Sequence, residues 1–157
     1  MDAPEHARLA EAINSAMREF VTRTVLFHQA VAQAVGLTAT DLQCLNLLLS
    51  EGPMTPGQLA ANSGLTTGAA ITGAIDRLQR AGYVHRANDP ADRRKVLVRP
   101  DHDRVEKEIT PLYDGIGRWH DGELDAKGND ELAAVLDYLT NATRATHTAT
   151  HALRRKD

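Results

Sequence analysis

Apolar side chains recur at three- and four-residue spacing over residues 7–35, as they do along one face of an α-helix. The stripe consists of Leu9, Ile13, Met17, Phe20, Val21, Phe27, Val31 and Val35. Gly36 follows it, and glycine commonly ends a helix at that position. The pattern predicts a helix of about 28 residues, whose stripe is expected to pack against a large surface.

A second helix is predicted from its capping residues. Thr38 and Asp41 form the S/T-x-x-D/E pattern, in which each side chain accepts a hydrogen bond from the other residue's backbone. A buried face is predicted from Leu42, Leu45, Leu48 and Leu49, and Gly52 and Pro53 end the helix.

A third, short helix follows almost at once. Thr55 is its predicted N-cap, and Gln58 completes a second capping box. Pro56 occupies the first helical position, where its missing N–H has no partner to lose. The helix is expected to end at Ser63 and Gly64.

Residues 65–82 predict a fourth helix, with Ile71, Ile75 and Leu78 on one side and Gly82 at the end. A turn of about three residues therefore joins two short helices, which is the helix-turn-helix pattern. In that motif the second helix enters the major groove of DNA.

The runs YVHR (83–86) and KVLVR (95–99) favour β-structure, and the loop between them is rich in Asn, Asp and Pro. They predict a hairpin. Helical spacing returns over 101–124 and 129–155, and Pro111 is expected to kink the first of these helices because it removes a helical hydrogen bond.

The net charge is −3, but the positive charge is concentrated in one segment: residues 66–100 hold 7 Lys and Arg against 3 Asp and Glu. No apolar run approaches the roughly 18 residues of a membrane span, and the first residues do not resemble a secretory signal. The single cysteine, Cys44, excludes an internal disulfide framework. These features predict a cytoplasmic protein.

Three cations, Arg93, Arg94 and Lys95, stand at the tip of the predicted hairpin. A narrow minor groove concentrates negative potential, and an arginine on a slender turn can reach into it. Asp92 is positioned to orient an arginine by a charge-assisted hydrogen bond. The alternative is a solvated, salt-bridged turn, which the preceding helix-turn-helix makes less attractive.

The segment LAANSGLTTGAAITGAIDRLQRAGYVHRANDPADRRKVLV resembles the winged helix-turn-helix core of the MarR family of bacterial transcriptional regulators. The runs DRLQRAGYVHR and DPADRRKVLV carry the resemblance. It implies a mainly α fold with a small β-hairpin wing, in which 37–100 form the DNA-binding domain. The helices of 1–36 and 101–157 would form a dimerisation region.

The resemblance also implies a homodimer that binds a palindromic operator in double-stranded DNA, and a repressor is the expectation although an activator stays open. The residues themselves predict neither a cofactor nor a metal. The predicted DNA contacts are Thr55, Gln58, Thr66, Thr67, Thr72, Gly73, Arg77, Arg86, Asp92, Arg93, Arg94 and Lys95. The exposed face of the fourth helix has few strong base readers, so phosphate and wing contacts are expected to dominate affinity.

Members of this family can be released from DNA by small, often aromatic effectors that bind between the dimerisation helices and the winged core. Candidate pocket residues are Met17, Phe20, His28, Tyr113, Trp119 and His120. The same residues are also compatible with ordinary interface packing.

Individual residues also leave other functions open. Cys44 would make the protein an oxidant sensor only if its thiol were reactive, and a buried helix position argues against that. His147 and His151 have the four-residue spacing of a metal-binding pair, without a carboxylate or cysteine nearby in sequence. A protein-binding adaptor with the same wing is a further alternative. Motifs typical of enzymes are absent from the sequence.

Overall fold

The computed structural model describes residues 3–65 and 68–154. The fold is mainly helical with one two-stranded antiparallel hairpin, as predicted. In chain order its elements are α1 (Ala3–Ala34), α2 (Ala39–Glu51), α3 (Pro56–Ser63), α4 (Gly68–Arg80), β1 (Val84–Asn88), β2 (Val96–Pro100), α5 (His102–Glu108), a 3-10 turn (Thr110–Tyr113), α6 (Asp114–Asp125) and α7 (Asn129–Arg154).

The chain divides into two compact units, Met1–Leu112 and Tyr113–Asp157. The first contains α1 to α5 and the hairpin, and the second contains α6 and α7. Within the described residues, none of the helices contains a stretch that is apolar and long enough to cross a membrane.

Leucine and isoleucine side chains from three helices form the core of the first unit. α2, α3 and α4 each contribute residues that are almost fully buried. Val98 of β2 and Tyr83, which directly precedes β1, complete the core. The largest fully buried apolar side chains are Leu42, Leu45, Leu48, Leu59, Ile75, Leu78, Tyr83 and Val98. Burial of this size is the main stabilising contribution to so small a unit.

The hairpin is anchored to the helices along its β2 edge. Val84 pairs with Pro100 and Asn88 with Val96, so the strands lie one or two residues later than the β-favouring runs suggested. On its other side β2 forms an isolated bridge, in which the Val98 N–H donates to the Met54 carbonyl at 2.7 Å. This bridge fixes the hairpin against the segment that precedes α3.

The structure has two separate helices where the sequence predicted one helix of 101–124 with a kink at Pro111. Asp101 caps α5, which ends at Glu108, and the chain continues as a 3-10 turn before α6 begins at Asp114. Proline has no N–H to donate, and its ring clashes with the carbonyl four residues earlier. The series of α-helical hydrogen bonds is therefore interrupted at this position.

Candidate nucleic-acid interface

The capping box predicted for α3 is present. The Thr55 N–H donates to Gln58 Oε1 at 2.9 Å, and the Gln58 N–H donates to Thr55 Oγ1 at 3.2 Å. Gly64 ends the helix in the left-handed region, at φ 77°, where a residue with a Cβ would be strained. Two predicted DNA contacts, Thr55 and Gln58, therefore also define where α3 begins.

α4 is tied to α2 by an ion pair that crosses the core. Arg77 donates from Nε to Asp41 Oδ2 at 2.9 Å and from Nη2 to Asp41 Oδ1 at 2.8 Å. Asp41 is 0% exposed, whereas 43% of the Arg77 side chain is exposed. The pair thus connects the buried start of α2 with the surface of α4.

Asp41 has a second role in the same place. Its Oδ2 accepts the Thr38 N–H at 3.0 Å, which completes the capping box of α2. Burial alone would raise the pKa of Asp41, but the hydrogen bonds from Arg77 and Thr38 outweigh it and hold this pKa below its ordinary value. Asp41 is therefore a buried carboxylate whose charged form is stabilised by the fold.

Gly73 lies one turn before Arg77 on α4. A Cβ at this position would stand 3.3 Å from Arg77 Nη1, closer than side chains usually approach. The absence of a side chain at Gly73 therefore leaves room for the guanidinium in the position that Asp41 imposes.

The exposed face of α4 agrees with the helical angles read from the sequence. Ala69, Thr72 and Arg80 are exposed, whereas Ile71, Ile75 and Leu78 are buried. Two predicted DNA contacts, Thr66 and Thr67, lie outside the described residues. The face consists of small and hydroxyl-bearing side chains with a cation near its C-terminal end.

Arg86 connects β1 to α4. Its Nη2 donates to Asp76 Oδ1 at 2.7 Å and its Nη1 donates to Gln79 Oε1. Asp76 and Gln79 lie on α4, so this arginine, a predicted DNA contact, also joins the hairpin to α4.

The tip of the hairpin is closed by its own hydrogen bonds. The Asp89 N–H donates to the Lys95 carbonyl at 2.9 Å, and the Lys95 N–H donates to the Asp92 carbonyl at 2.8 Å. Inside this turn, Asp89 Oδ1 accepts the Ala91 N–H at 2.8 Å. These hydrogen bonds stabilise the turn that carries Arg93 and Arg94.

Asp92 holds Arg94, as the sequence predicted for an arginine of this turn. Its Oδ1 accepts from Arg94 Nε at 3.1 Å and from the Arg94 backbone N–H at 3.2 Å. The Arg94 side chain is nonetheless 91% exposed. Arg93 is also exposed, and Lys95 Nζ lies 4.0 Å from Asp92 Oδ2.

A groove with a volume of about 560 Å³ lies between α1 and α2. His28, one of the predicted pocket residues, lines it together with polar and apolar side chains from both helices. Met17 and Phe20 lie nearer the start of α1. The remaining candidates, Tyr113, Trp119 and His120, belong to the second unit, where the Trp119 and His120 rings stack at 5.8 Å.

Cys44 is fully buried on α2. Burial raises the pKa of this thiol, so the thiolate that reacts with oxidants is disfavoured. These surroundings are those of a packing residue.

Comparison with known proteins shows a partial match to one family and a fold shared with solved structures. A model of the MarR family matches residues 37–96. Over 83 residues the chain is 54% identical to YcgE of Bacillus subtilis (strain 168), described as an uncharacterized HTH-type transcriptional regulator. That match covers 53% of each protein, so it extends over about half the length of this relative.

Two solved structures have the same fold. The transcriptional regulator Tm0710 from Thermotoga maritima is 24% identical with a TM-score of 0.60, over 87% of this chain and 95% of that one. A MarR family protein from Bacillus stearothermophilus is 20% identical with a TM-score of 0.62, over 94% of this chain and 99% of that one. Residues 37–96 of the chain are thus similar to the MarR family.

Proposed function

We propose that the protein is a homodimeric, sequence-specific DNA-binding repressor that recognises a palindromic operator. In this function α4 enters the major groove, and the hairpin tip places arginine in the adjacent minor groove. The observation that carries the proposal is Arg94, which Asp92 orients although 91% of its side chain is exposed. An oriented, exposed guanidinium is suited to a groove of concentrated negative potential.

The charge of the same region supports DNA as the partner. Residues 66–100, which contain α4 and the hairpin, hold 7 Lys and Arg against 3 Asp and Glu in a chain with a net charge of −3. Cations localised on one surface attract a polyanion even when the whole protein is mildly acidic. Arg80, Arg93 and Lys95 are exposed there and are proposed to contact phosphates.

The exposed face of α4 supports a modest direct readout of bases. Thr72 offers a hydroxyl and a methyl group, and Ala69 allows close approach. Arg77 reaches this surface as well, but Asp41 fixes its Nε and Nη2. Affinity is therefore expected to depend on phosphate and minor-groove contacts more than on hydrogen bonds to base edges.

A second copy of the chain is proposed to cover the apolar stripe of α1. Phe20 is 54% exposed, and Leu9, Ile13 and Val21 are exposed to a similar extent. Large apolar side chains in a continuous stripe are a mark of an interaction surface. A two-fold dimer would present two α4 helices one turn of DNA apart, roughly 34–36 Å, which is why a palindrome is proposed.

The groove between α1 and α2 is the proposed effector site. Its volume of about 560 Å³ is in the range of small-molecule pockets. Apolar walls from Val25, Leu42 and Leu47 would receive an aromatic ring, and His28 and Asn46 would bind its polar groups. α2 lines the groove and also holds Arg77 of α4 through Asp41, so a ligand that displaces α2 would displace the recognition helix.

The test is fluorescence anisotropy with DNA from upstream of the protein's own coding region. Arg94→Ala should weaken binding roughly tenfold, since a groove arginine typically contributes that much. Lys127→Ala is the matched control, because it removes one positive charge from the turn between α6 and α7. The binding constant of the parent should also fall steeply with salt. Equal losses in both variants, or binding that salt does not weaken, would contradict the proposal.

A further inference from the structure

Two histidines converge on the surface of α7. His147 and His151 are one helical turn apart, both are exposed, and their Nε2 atoms are 3.1 Å from each other. The ring centroids are 4.4 Å apart with an interplanar angle of 67°. The Nε2 atoms of the two rings thus lie close together on the surface of the helix.

This separation fits a chelated metal ion. Imidazole nitrogens bind zinc at about 2.0–2.1 Å, so two of them on one ion are about 2.9 Å apart at a right angle and about 3.3 Å apart at the tetrahedral angle. The 3.1 Å distance lies between these values. We propose that His147 and His151 form a bidentate surface site for a transition-metal dication such as Zn²⁺, Ni²⁺ or Cu²⁺, with water in the remaining positions.

The neighbours of the pair exclude hard cations. Thr146, Thr148 and Thr150 each donate their hydroxyl to the backbone carbonyl four residues earlier, and Arg144, one turn before His147, is cationic. Within residues 3–65 and 68–154 there is no group of three or more His, Cys, Asp or Glu side chains able to hold a metal. Mg²⁺ and Ca²⁺, which require several oxygen ligands, are therefore not expected to bind at the pair.

Metal binding at this pair is separate from the proposed DNA-binding function and does not depend on it. The pair is set by the geometry of one helix in the second unit, so metal binding can be measured without DNA. Metal binding would be a function of the four-residue spacing of these histidines, whereas the sequence alone is also compatible with two separate surface side chains.

The test is isothermal titration calorimetry of ZnCl2, NiCl2 and CuCl2 into untagged protein at pH 7.5, with thermal unfolding followed in parallel. The parent should bind one ion per chain at this site and unfold at a higher temperature with metal, because the ion binds the folded helix preferentially. His147→Ala should weaken binding roughly a hundredfold, since the second ligand binds intramolecularly.

Two controls distinguish chelation from general histidine binding. The pair His85→Ala and His102→Ala removes two exposed histidines outside α7 and should leave the affinity unchanged. The pair His151→Ala and Ala152→His keeps two histidines on α7 but places them roughly 140° apart around the helix, which should abolish chelation. Equal affinity in the parent and this register variant would overturn the proposal and leave a simple hydrogen bond between the rings as the explanation.

Discussion

The carboxylate of Asp41, fully buried at the start of α2, accepts hydrogen bonds from Nε and Nη2 of Arg77 on α4. The residues are 36 positions apart in the chain. The contact is one of several that position α4, which also buries Ile71, Ile75 and Leu78 in the core. The orientation of the proposed major-groove helix therefore depends in part on this ion pair.

Asp41→Asn should lower the free energy of unfolding by about 2 kcal/mol, since it weakens charge-assisted hydrogen bonds to Arg77 and Thr38. Urea denaturation measures this change. Asp92→Asn is the control, because it alters an ion pair of an exposed turn and should change stability by less than about 0.5 kcal/mol. A stability loss in Asp41→Asn no larger than in the control would show that the buried pair contributes little.

The same carboxylate predicts a pH dependence of stability. The pKa of Asp41 is lowered in the folded chain from its ordinary value of 3.8, so the folded state binds this proton less readily than the unfolded state. Its contribution is thus fully present above that ordinary value and is lost as the pH falls through the lowered pKa. The difference in unfolding free energy between the parent and Asp41→Asn should shrink from pH 6 to pH 3. A difference that stays constant over this range would contradict the assignment.

Asp92→Asn should weaken operator binding while leaving the fold intact. The amide oxygen can still accept a hydrogen bond but lacks the negative charge that strengthens it, so the orientation of Arg94 would be held less firmly. The loss should be smaller than in Arg94→Ala, because the cation remains. Fluorescence anisotropy gives both affinities, and circular dichroism checks the fold. If Asp92→Asn bound as tightly as the parent, the orienting role would be wrong.

Phe20→Glu should convert the protein from a dimer to a monomer and reduce its affinity for a palindromic site. A carboxylate on the exposed apolar stripe of α1 would have to be desolvated in the proposed interface. Thr22→Glu adds the same charge roughly 200° around the helix and should leave the dimer intact. Light scattering measures the mass of each. If both Phe20→Glu and Thr22→Glu remained dimeric, the interface would lie elsewhere on the protein.

The Cys44 thiol should resist modification in the native protein. It is fully buried and its pKa is raised, so little thiolate reaches solvent. Reaction with a chromogenic disulfide should be slow in buffer and complete after unfolding in urea. Fast native labelling, or peroxide-induced release of DNA that Cys44→Ser prevents, would restore oxidant sensing as a function.

The elements that the sequence predicted well are those that neighbouring residues determine. The capping boxes of α2 and α3 involve side chains three residues apart, so Thr55 and Gln58 could be assigned without tertiary information. The hairpin was predicted because a turn-rich loop separates two β-favouring runs. The hydrogen bond from Arg94 to Asp92 joins residues two apart and was predictable for the same reason.

The features that escaped prediction depend on contacts between distant parts of the chain. Asp41 was recognised as a cap, but its pairing with Arg77 has no local signal. The Met54–Val98 bridge likewise requires the folded arrangement of the hairpin. At Pro111 the local rule gave the position of the interruption but not its extent, because a kinked helix and two separate helices contain the same proline.

The self-closed turn between Asp89 and Lys95 has a consequence for how the protein would meet DNA. A tip already held by its own backbone hydrogen bonds has little conformational entropy left to lose on contact, so no ordering step should slow the encounter. Association would then be governed by diffusion and charge, and discrimination between sites would appear mainly in how long each complex lasts.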